Sequence, residues 1–251
     1  MLTAAIVLYN NNEKVLRQAV DSFLSVPLEK RLYLVDNSET DAFRTCFVSD
    51  EITYIHTGKN IGFGKGHNWI LEELEAKSKF HLILNPDAYF EPNTIPQLIK
   101  EIVNRDKVGI IAPKILYPDG SFQLSIRRFP KIYDFFLRRI PGIKNIFKDT
   151  FKKGNYLNGP LDKPMNVEAV SGCFQVFDTN VFTKIKGFDE RYFMYMEDLD
   201  ICRKVHEAGY NVLYYPLVTV YHHSAYDSKK KPKLLLIHLS SIVKYFIKWN
   251  T

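Results

Sequence analysis

Cysteine is scarce in this chain. Cys46, Cys173 and Cys202 form no CxxC pair and make an odd total, so neither a zinc cluster nor a disulfide scaffold is indicated, and a reducing cytosol fits best. Long apolar runs are missing too, so no bilayer-spanning segment is expected. Residues Met1 to Tyr9 have a short apolar stretch with no basic region before it, which argues against a signal peptide. The glycine-rich stretch Gly58–Asn68 lacks the GxGxxG spacing, because His67 stands where the last glycine would be. It is no Walker loop either, since Gly66-His67 replaces Gly-Lys-Ser/Thr. Dinucleotide and ATP-hydrolysing readings weaken accordingly. No helix-turn-helix, RNP-type or zinc motif accompanies the basic residues, so nucleic acid is not an expected partner. Internal repeats and low-complexity tracts are absent.

Acids are absent from residues 228–251, which hold six lysines for a local charge of +6. Residues 127–153 hold nine Lys/Arg against Asp134 and Asp149, a local +7. With +6 overall, the rest of the chain is left at −7. The basic segments also carry apolar groups: Phe129, Tyr133, Phe135, Phe136, Phe147 and Phe151 in one, and a Leu234–Trp249 amphipathic helix in the other. Basic charge mixed with aromatics suits an anionic membrane surface, although lysines flanking an ordinary core helix give the same pattern.

The 251 residues are enough for one large domain. Thr3–Tyr9 reads as a buried strand and Glu13–Ser25 as a helix. Leu32–Val35, Ile52–His56 and Phe80–Leu84 read as further strands, and Gly66–Lys77 as a helix. Asn93–Arg105 (helix), Val108–Ala112 (strand) and a hairpin of Ile115–Tyr117 with Ser121–Ile126 follow, then a 128–165 insertion. Val167–Phe177 resumes as strand, Asp178 caps a helix over Thr179–Ile185 ended by Gly187, and Glu197–Ala208 is a helix closed by Gly209. Strands over Asn211–Tyr215 and Leu217–His222 complete the pattern. The class is α/β with a mostly parallel sheet. In such a sheet ligands bind beyond the strand carboxyl ends, so Asn10, Asp36 and Asp87 are expected to converge there.

The strongest chemical signal is Phe188–Asp200, which sets five carboxylates among Phe, Tyr and Met side chains before a helix. Carboxylates walled by bulky apolar groups lose water, and their pKa rises toward that of a working base. As a rival reading, Glu197, Asp198 and Asp200 complement a helix macrodipole. Asp36 at a strand end can accept the N3–H of uracil or thymine, or simply close an Asx turn. Backbone amides of the Gly58–Asn68 loop can approach a diphosphate. The rigid Asn85-Pro86-Asp87 turn aims one acidic oxygen out of the sheet, as a hard divalent cation requires, and His222 could complete the coordination and favour manganese over calcium.

Taken in order, Tyr9-Asn10, Val35-Asp36-Asn37-Ser38, Asn60-Ile61-Gly62-Phe63, Asn85-Pro86-Asp87, Gly172-Cys173-Phe174, Gly187-Phe188-Asp189-Glu190 and Met196-Glu197-Asp198-Leu199-Asp200 resemble glycosyltransferase family 2, in its rhamnosyltransferase-like branch. The resemblance covers about residues 3–224. It implies a GT-A fold, a nucleotide-diphosphate sugar donor, Mn2+ or Mg2+, and inversion at the anomeric carbon. Carried over residue by residue, it makes Asp198 the base with Glu197 beside it, Asp87 and His222 the metal ligands, and Asp36 the reader of the donor base. The donor-binding set expected is Tyr9, Asn10, Asp36, Asn60, Gly62, Lys65 and Asn85. The usual Asp-x-Asp is replaced by Asn85-Pro86-Asp87, leaving one acidic ligand. The organisation expected is a GT-A catalytic domain over 1–224, with a basic aromatic insertion at about 127–165, and a basic amphipathic helix over 225–251.

The implied donor is dTDP-L-rhamnose, with a UDP-hexose as the alternative. The basic aromatic segments suggest a polyprenyl-diphosphate-linked glycan acceptor and a cytoplasmic enzyme held peripherally at the inner face of the cell membrane. Two rivals are a nucleotidyltransferase, which usually opens with a glycine-rich basic loop where this chain has Tyr9-Asn10-Asn11-Asn12, and an idle sugar-nucleotide or membrane-binding module.

Overall fold

The computed structural model describes residues 1–132, 156, 161–224 and 232–250. Most of the 128–165 insertion, and residues 225–231 that lead to the C-terminal helix, therefore lie outside the described residues.

The chain opens with β1 (Leu2–Leu8), whose residues are almost all buried, and α1 (Glu13–Leu24). Asn12 caps α1 by accepting the Val15 N–H at 3.2 Å, and Leu16, Ala19, Val20 and Phe23 form its buried stripe. β2 (Lys30–Asp36) and β3 (Ile52–His56) follow. The helix expected over 66–77 is two: α2 (Phe63–Asn68) and α3 (Leu71–Lys77). The break has a tertiary cause. Asn68 is committed to the backbone of Phe188, donating to its carbonyl and accepting its N–H at 2.8 Å each, and the Trp69 N–H reaches back only to Gly66.

Next come β4 (Phe80–Leu84), the short β5 (Ala88–Phe90), α4 (Thr94–Asn104) and β6 (Val108–Leu116). The expected hairpin shrinks to a turn over Tyr117–Ser121 and one bridge, Leu116 to Phe122, because the chain then leaves for β7 (Ile126–Arg127). The strand expected over 167–177 is three. β8 (Met165–Val167) pairs with a later strand, β9 (Ala169–Val170) pairs with β7, and β10 (Phe174–Asp178) enters the main sheet. α5 (Thr179–Lys184) is capped by Asp178, α6 (Glu197–Glu207) is followed by Gly209 at φ +86°, and β11 (Asn211–His222) is one strand where two were expected. Pro216, lacking an N–H, falls inside the register shift between Tyr215 and Thr219. α7 (Pro232–Trp249) ends the described chain.

The main sheet runs β3-β2-β1-β4-β10-β6-β11-β5, with β8 also on β11. It is parallel from β3 to β4, antiparallel around β10, and parallel again between β6 and β11. One face packs on α1 and α4 through Leu16, Phe23, Ile95 and Leu98. The other packs on α5, α6 and α7 through Phe182, Ile201, Val205 and Tyr245. No helix among the described residues is long and apolar enough to cross a membrane.

α7 is not a free amphipathic helix. Tyr245 is fully buried and Phe246 nearly so, Lys248 pairs with Asp189 and Asp200 at 2.8 Å, and the Trp249 indole donates to Asp200 at 2.8 Å. Ser241 donates to the Met194 carbonyl and Lys244 to the Arg191 carbonyl. The aromatics expected to face a membrane thus turn inward, leaving Leu235, Leu236, Val243 and Ile247 outside.

Candidate active site

A cavity of about 730 Å³ opens where β1 and β4 end and α6 begins. Tyr9 and Asn10 come from the end of β1, with Asn10 at φ +50° and its N–H held by the Ser38 hydroxyl at 2.9 Å. Asn85, Pro86 and Asp87 come from the turn after β4, and Gly172 and Cys173 from the turn before β10. Met194, Tyr195, Glu197 and Asp198 come from the entry to α6. There, Tyr195 and Met196 both take left-handed backbone conformations, at φ +69° and +68°. Two consecutive residues without glycine in that region are costly, and here the turn is held by α7, through Ser241 on Met194 and the His238 ring 4.7 Å from Tyr195. Gly172 permits the close approach of α6: a Cβ placed on it would stand 3.3 Å from that of Asp198.

On one wall, Asp87 Oδ1 lies 3.1 Å from His222 Nε2, and Asn85 Nδ2 lies 3.2 Å from the same nitrogen. His222 Nδ1 faces Gln123 Oε1 at 2.8 Å. Burial pulls the imidazole down, but Cys173 and Asp87 outweigh it and hold it up at about 10. Burial raises the Asp87 carboxyl, and the His222 hydrogen bond and charge more than offset that, leaving it below its ordinary value. These two side chains can contribute to a cation site: Gln123 accepts the Nδ1 proton, which in the neutral ring leaves the Nε2 lone pair toward Asp87. No group of three His, Cys, Asp or Glu that could hold a metal occurs among the described residues, so the rest of a shell would have to come from a ligand such as a diphosphate.

The carboxylates that begin α6 have different surroundings. Asp200 is fully buried against Lys248, Trp249 and Tyr192. Asp198 accepts a hydrogen bond from the Arg127 guanidinium and one from the Leu199 N–H at 2.9 Å. Its charge raises Arg127 above the ordinary arginine value. Glu197 is buried with Oε2 lacking any partner, and burial together with the Asp198 charge pushes it up to about 8, favouring its neutral form.

The cavity wall thus includes Tyr9, Asn10, Asn85, Asp87, Glu197 and Asp198, with His222 just behind Asp87. It does not include Asp36, Asn60, Gly62 or Lys65. Asp36 is fully buried. One oxygen accepts the Ser38 N–H at 2.8 Å and the other the Tyr54 hydroxyl at 2.6 Å. Asn60 accepts the Gly62 N–H, and Lys65 points outward to Glu190 at 3.2 Å. Gly62, Gly64 and Gly66 serve packing. A Cβ on Gly62, at φ +90°, would lie 2.4 Å from the Phe193 carbonyl oxygen, and that oxygen takes the Phe63 N–H at 3.0 Å. Arg203 lies over the Phe129 and Trp249 rings.

The sequence reading places Arg127 among the surface charges and does not single out Gln123, yet Gln123 meets His222 and Arg127 meets Asp198. Their signal is alternation: Gln123, Ser125 and Arg127 interleave with Phe122, Leu124 and Ile126, which puts the polar residues on one side.

The glycosyl transferase family 2 model matches residues 3–185. N-acetylglucosaminyl-diphospho-decaprenol L-rhamnosyltransferase of Mycobacterium tuberculosis is 28% identical over 213 residues, 79% of this chain and 68% of that one. Rhamnosyltransferase WbbL of Escherichia coli K12 is 24% identical over 252 residues, 96% of this chain and 90% of that one. Among solved structures, GalNAc-T7 with UDP, GalNAc and Mn2+ superposes with a TM-score of 0.65 at 14% identity over 88% of this chain. The mannosyltransferase PcManGT of Pyrobaculum calidifontis with GDP-Man and Mn2+ does so with a TM-score of 0.60 at 14% identity over 97%. This chain spans 42% and 64% of those two chains, and the likeness establishes the GT-A fold. By the family match, the chain belongs to glycosyl transferase family 2 and is a glycosyltransferase.

Proposed function

We propose that this enzyme transfers L-rhamnose from dTDP-L-rhamnose, with inversion, to a hydroxyl of a lipid-diphosphate-linked glycan at the cytoplasmic face of a membrane, in bacterial surface polysaccharide synthesis. The observation that carries this reading is that one cavity is lined by both Asp87, from the turn after β4, and Asp198, from the start of α6. The sugar and acceptor classes rest on the names of the two rhamnosyltransferases above.

Asp198 takes the proton of the acceptor hydroxyl as its oxygen attacks the anomeric carbon, and the bond to the nucleoside diphosphate breaks on the opposite face. Positioning by the Gly172 turn and by Tyr195 supplies much of the acceleration. Asp87 and His222, with Asn85 beside them, would hold Mn2+ or Mg2+, whose charge offsets that of the departing diphosphate. Neutral Glu197 keeps a second negative charge away from the base. Asn10 and Tyr9 line the donor side. For Asp36 to meet the donor base, the Tyr54 hydroxyl or the Asn10 loop has to give way. The basic residues and the outer apolar face of α7 support peripheral attachment to an anionic membrane.

The test is turnover of a prenyl-diphosphate-linked sugar with dTDP-L-rhamnose, UDP-glucose, UDP-galactose and UDP-N-acetylglucosamine, each with and without Mn2+. Transfer from dTDP-L-rhamnose alone supports the reading. Transfer from a UDP-hexose alone replaces the donor, and binding of donors without transfer to any acceptor returns the idle-module reading.

A further inference from the structure

Arg127 is the one cation bonded to Asp198 among the described residues, and it reaches α6 from outside the helix. It is the second residue of β7, fixed by the register Ile126 to Val170 and Arg127 to Ala169. A guanidinium carries five N–H donors in a planar fork, and Asp198 takes one of its nitrogens. Its side chain keeps 36% of its surface exposed while that of Asp198 keeps 14%. Arg128, 55% exposed, follows directly.

An acceptor sugar linked to lipid through a diphosphate carries its attacked hydroxyl and its phosphates on one pyranose ring. With the hydroxyl on Asp198, the phosphates lie about one ring's width away, which is where a cation already bonded to Asp198 can meet them. A diphosphate brought into a cavity lined by Asp198 and Asp87 is repelled unless a cation intervenes, and an arginine fork matches phosphate oxygens two at a time. We propose that Arg127 recognises the diphosphate of the acceptor: in the free enzyme its guanidinium rests on Asp198, and the arriving acceptor draws part of the fork onto a phosphate oxygen, which brings its hydroxyl to the base. This rests on the lipid-diphosphate reading of the acceptor given above, and makes Arg127 the residue that separates such acceptors from neutral glycosides.

The experiment compares wild type, Arg127→Gln and Arg127→Lys on two acceptors with the same sugar, one a short prenyl diphosphate and the other an alkyl glycoside without phosphate. Loss of a charge-assisted bond predicts a rise in KM of about tenfold or more for the diphosphate acceptor in Arg127→Gln. The glycoside and donor KM values stay near wild type, and Arg127→Lys recovers part of the loss. Equal losses on both acceptors, or a selective rise in donor KM, overturn the proposal. Calorimetry with the prenyl diphosphate alone decides the matter without turnover: weaker binding to Arg127→Gln supports it, and equal binding refutes it. Should wild type turn over neither acceptor yet bind the prenyl diphosphate through Arg127, the proposed transfer fails while this inference stands. Thermal melting of Arg127→Lys confirms that folding is retained.

Discussion

Replacing Glu197 by Gln removes a buried titration from the wall of the site. Glu197 is 9% exposed, its Oε2 has no partner, and its pKa rises from 4.5 to about 8 through burial and the neighbouring Asp198 charge. An acid whose pKa rises on folding binds more proton in the native state than in the unfolded chain between those two values. Stability therefore falls as pH climbs through the window from about 4.5 to about 8, and the loss is complete above it. At 1.36 kcal/mol per unit, the upper limit is about 3 kcal/mol at pH 7 and about 5 kcal/mol beyond pH 8. Glutamine keeps the shape and stays neutral throughout. Urea unfolding of both proteins at pH 5 and pH 8.5 should show Glu197→Gln gaining several kcal/mol on wild type between the two conditions, whatever constant offset the amide brings. An equal difference at the two pH values would mean that Glu197 is ionised in the folded enzyme, and would remove the argument for a neutral acid beside the base.

Asp198→Asn should lower kcat by about 10²- to 10⁴-fold, the range of general-base contributions, with donor affinity by calorimetry little changed. Equal turnover would remove Asp198 as the base. Asp87→Ala should weaken donor binding in Mn2+ far more than in EDTA, and a metal titration identical to wild type would refute its ligand role. Gly66→Ala places a Cβ 2.8 Å from both Val7 methyls and should cost about 1 to 3 kcal/mol in urea unfolding; a neutral result would show that β1 yields there. Replacing Leu236, Val243 and Ile247 together by Ser should lower binding to phosphatidylglycerol vesicles without lowering Tm. Unchanged binding at low salt would take the outer face of α7 out of the membrane account.

Where structure is dictated locally, the sequence patterns read true. Ile52–His56 and Phe80–Leu84 occur with those very bounds, and Asp178 caps the helix that follows it. The breaks were illegible because distant partners cause them: Asn68 is drawn to Phe188, 120 residues on, and Gly172 makes room for Asp198. At the site, the ordered motifs pointed to Asp87 and Asp198, which do line one cavity. Nothing near Asp36 announced that Tyr54, 18 residues later, would cover it. Likewise the lysines and aromatics of α7 suggested a surface, yet a buried Asp200 draws Lys248 and Trp249 inward.

The anchoring of Asp200 bears on how the enzyme comes into being. Asp200 and Asp198 share one helix, and the groups that neutralise Asp200 follow it by 48 and 49 positions. A ribosome that has just finished α6 has therefore made a helix whose buried carboxylate still lacks its cation. The nascent domain must hold that segment unsettled until Lys248 and Trp249 clear the exit tunnel. The loop that positions Tyr195 waits on the same event, so the site takes its final shape only once α7 has packed.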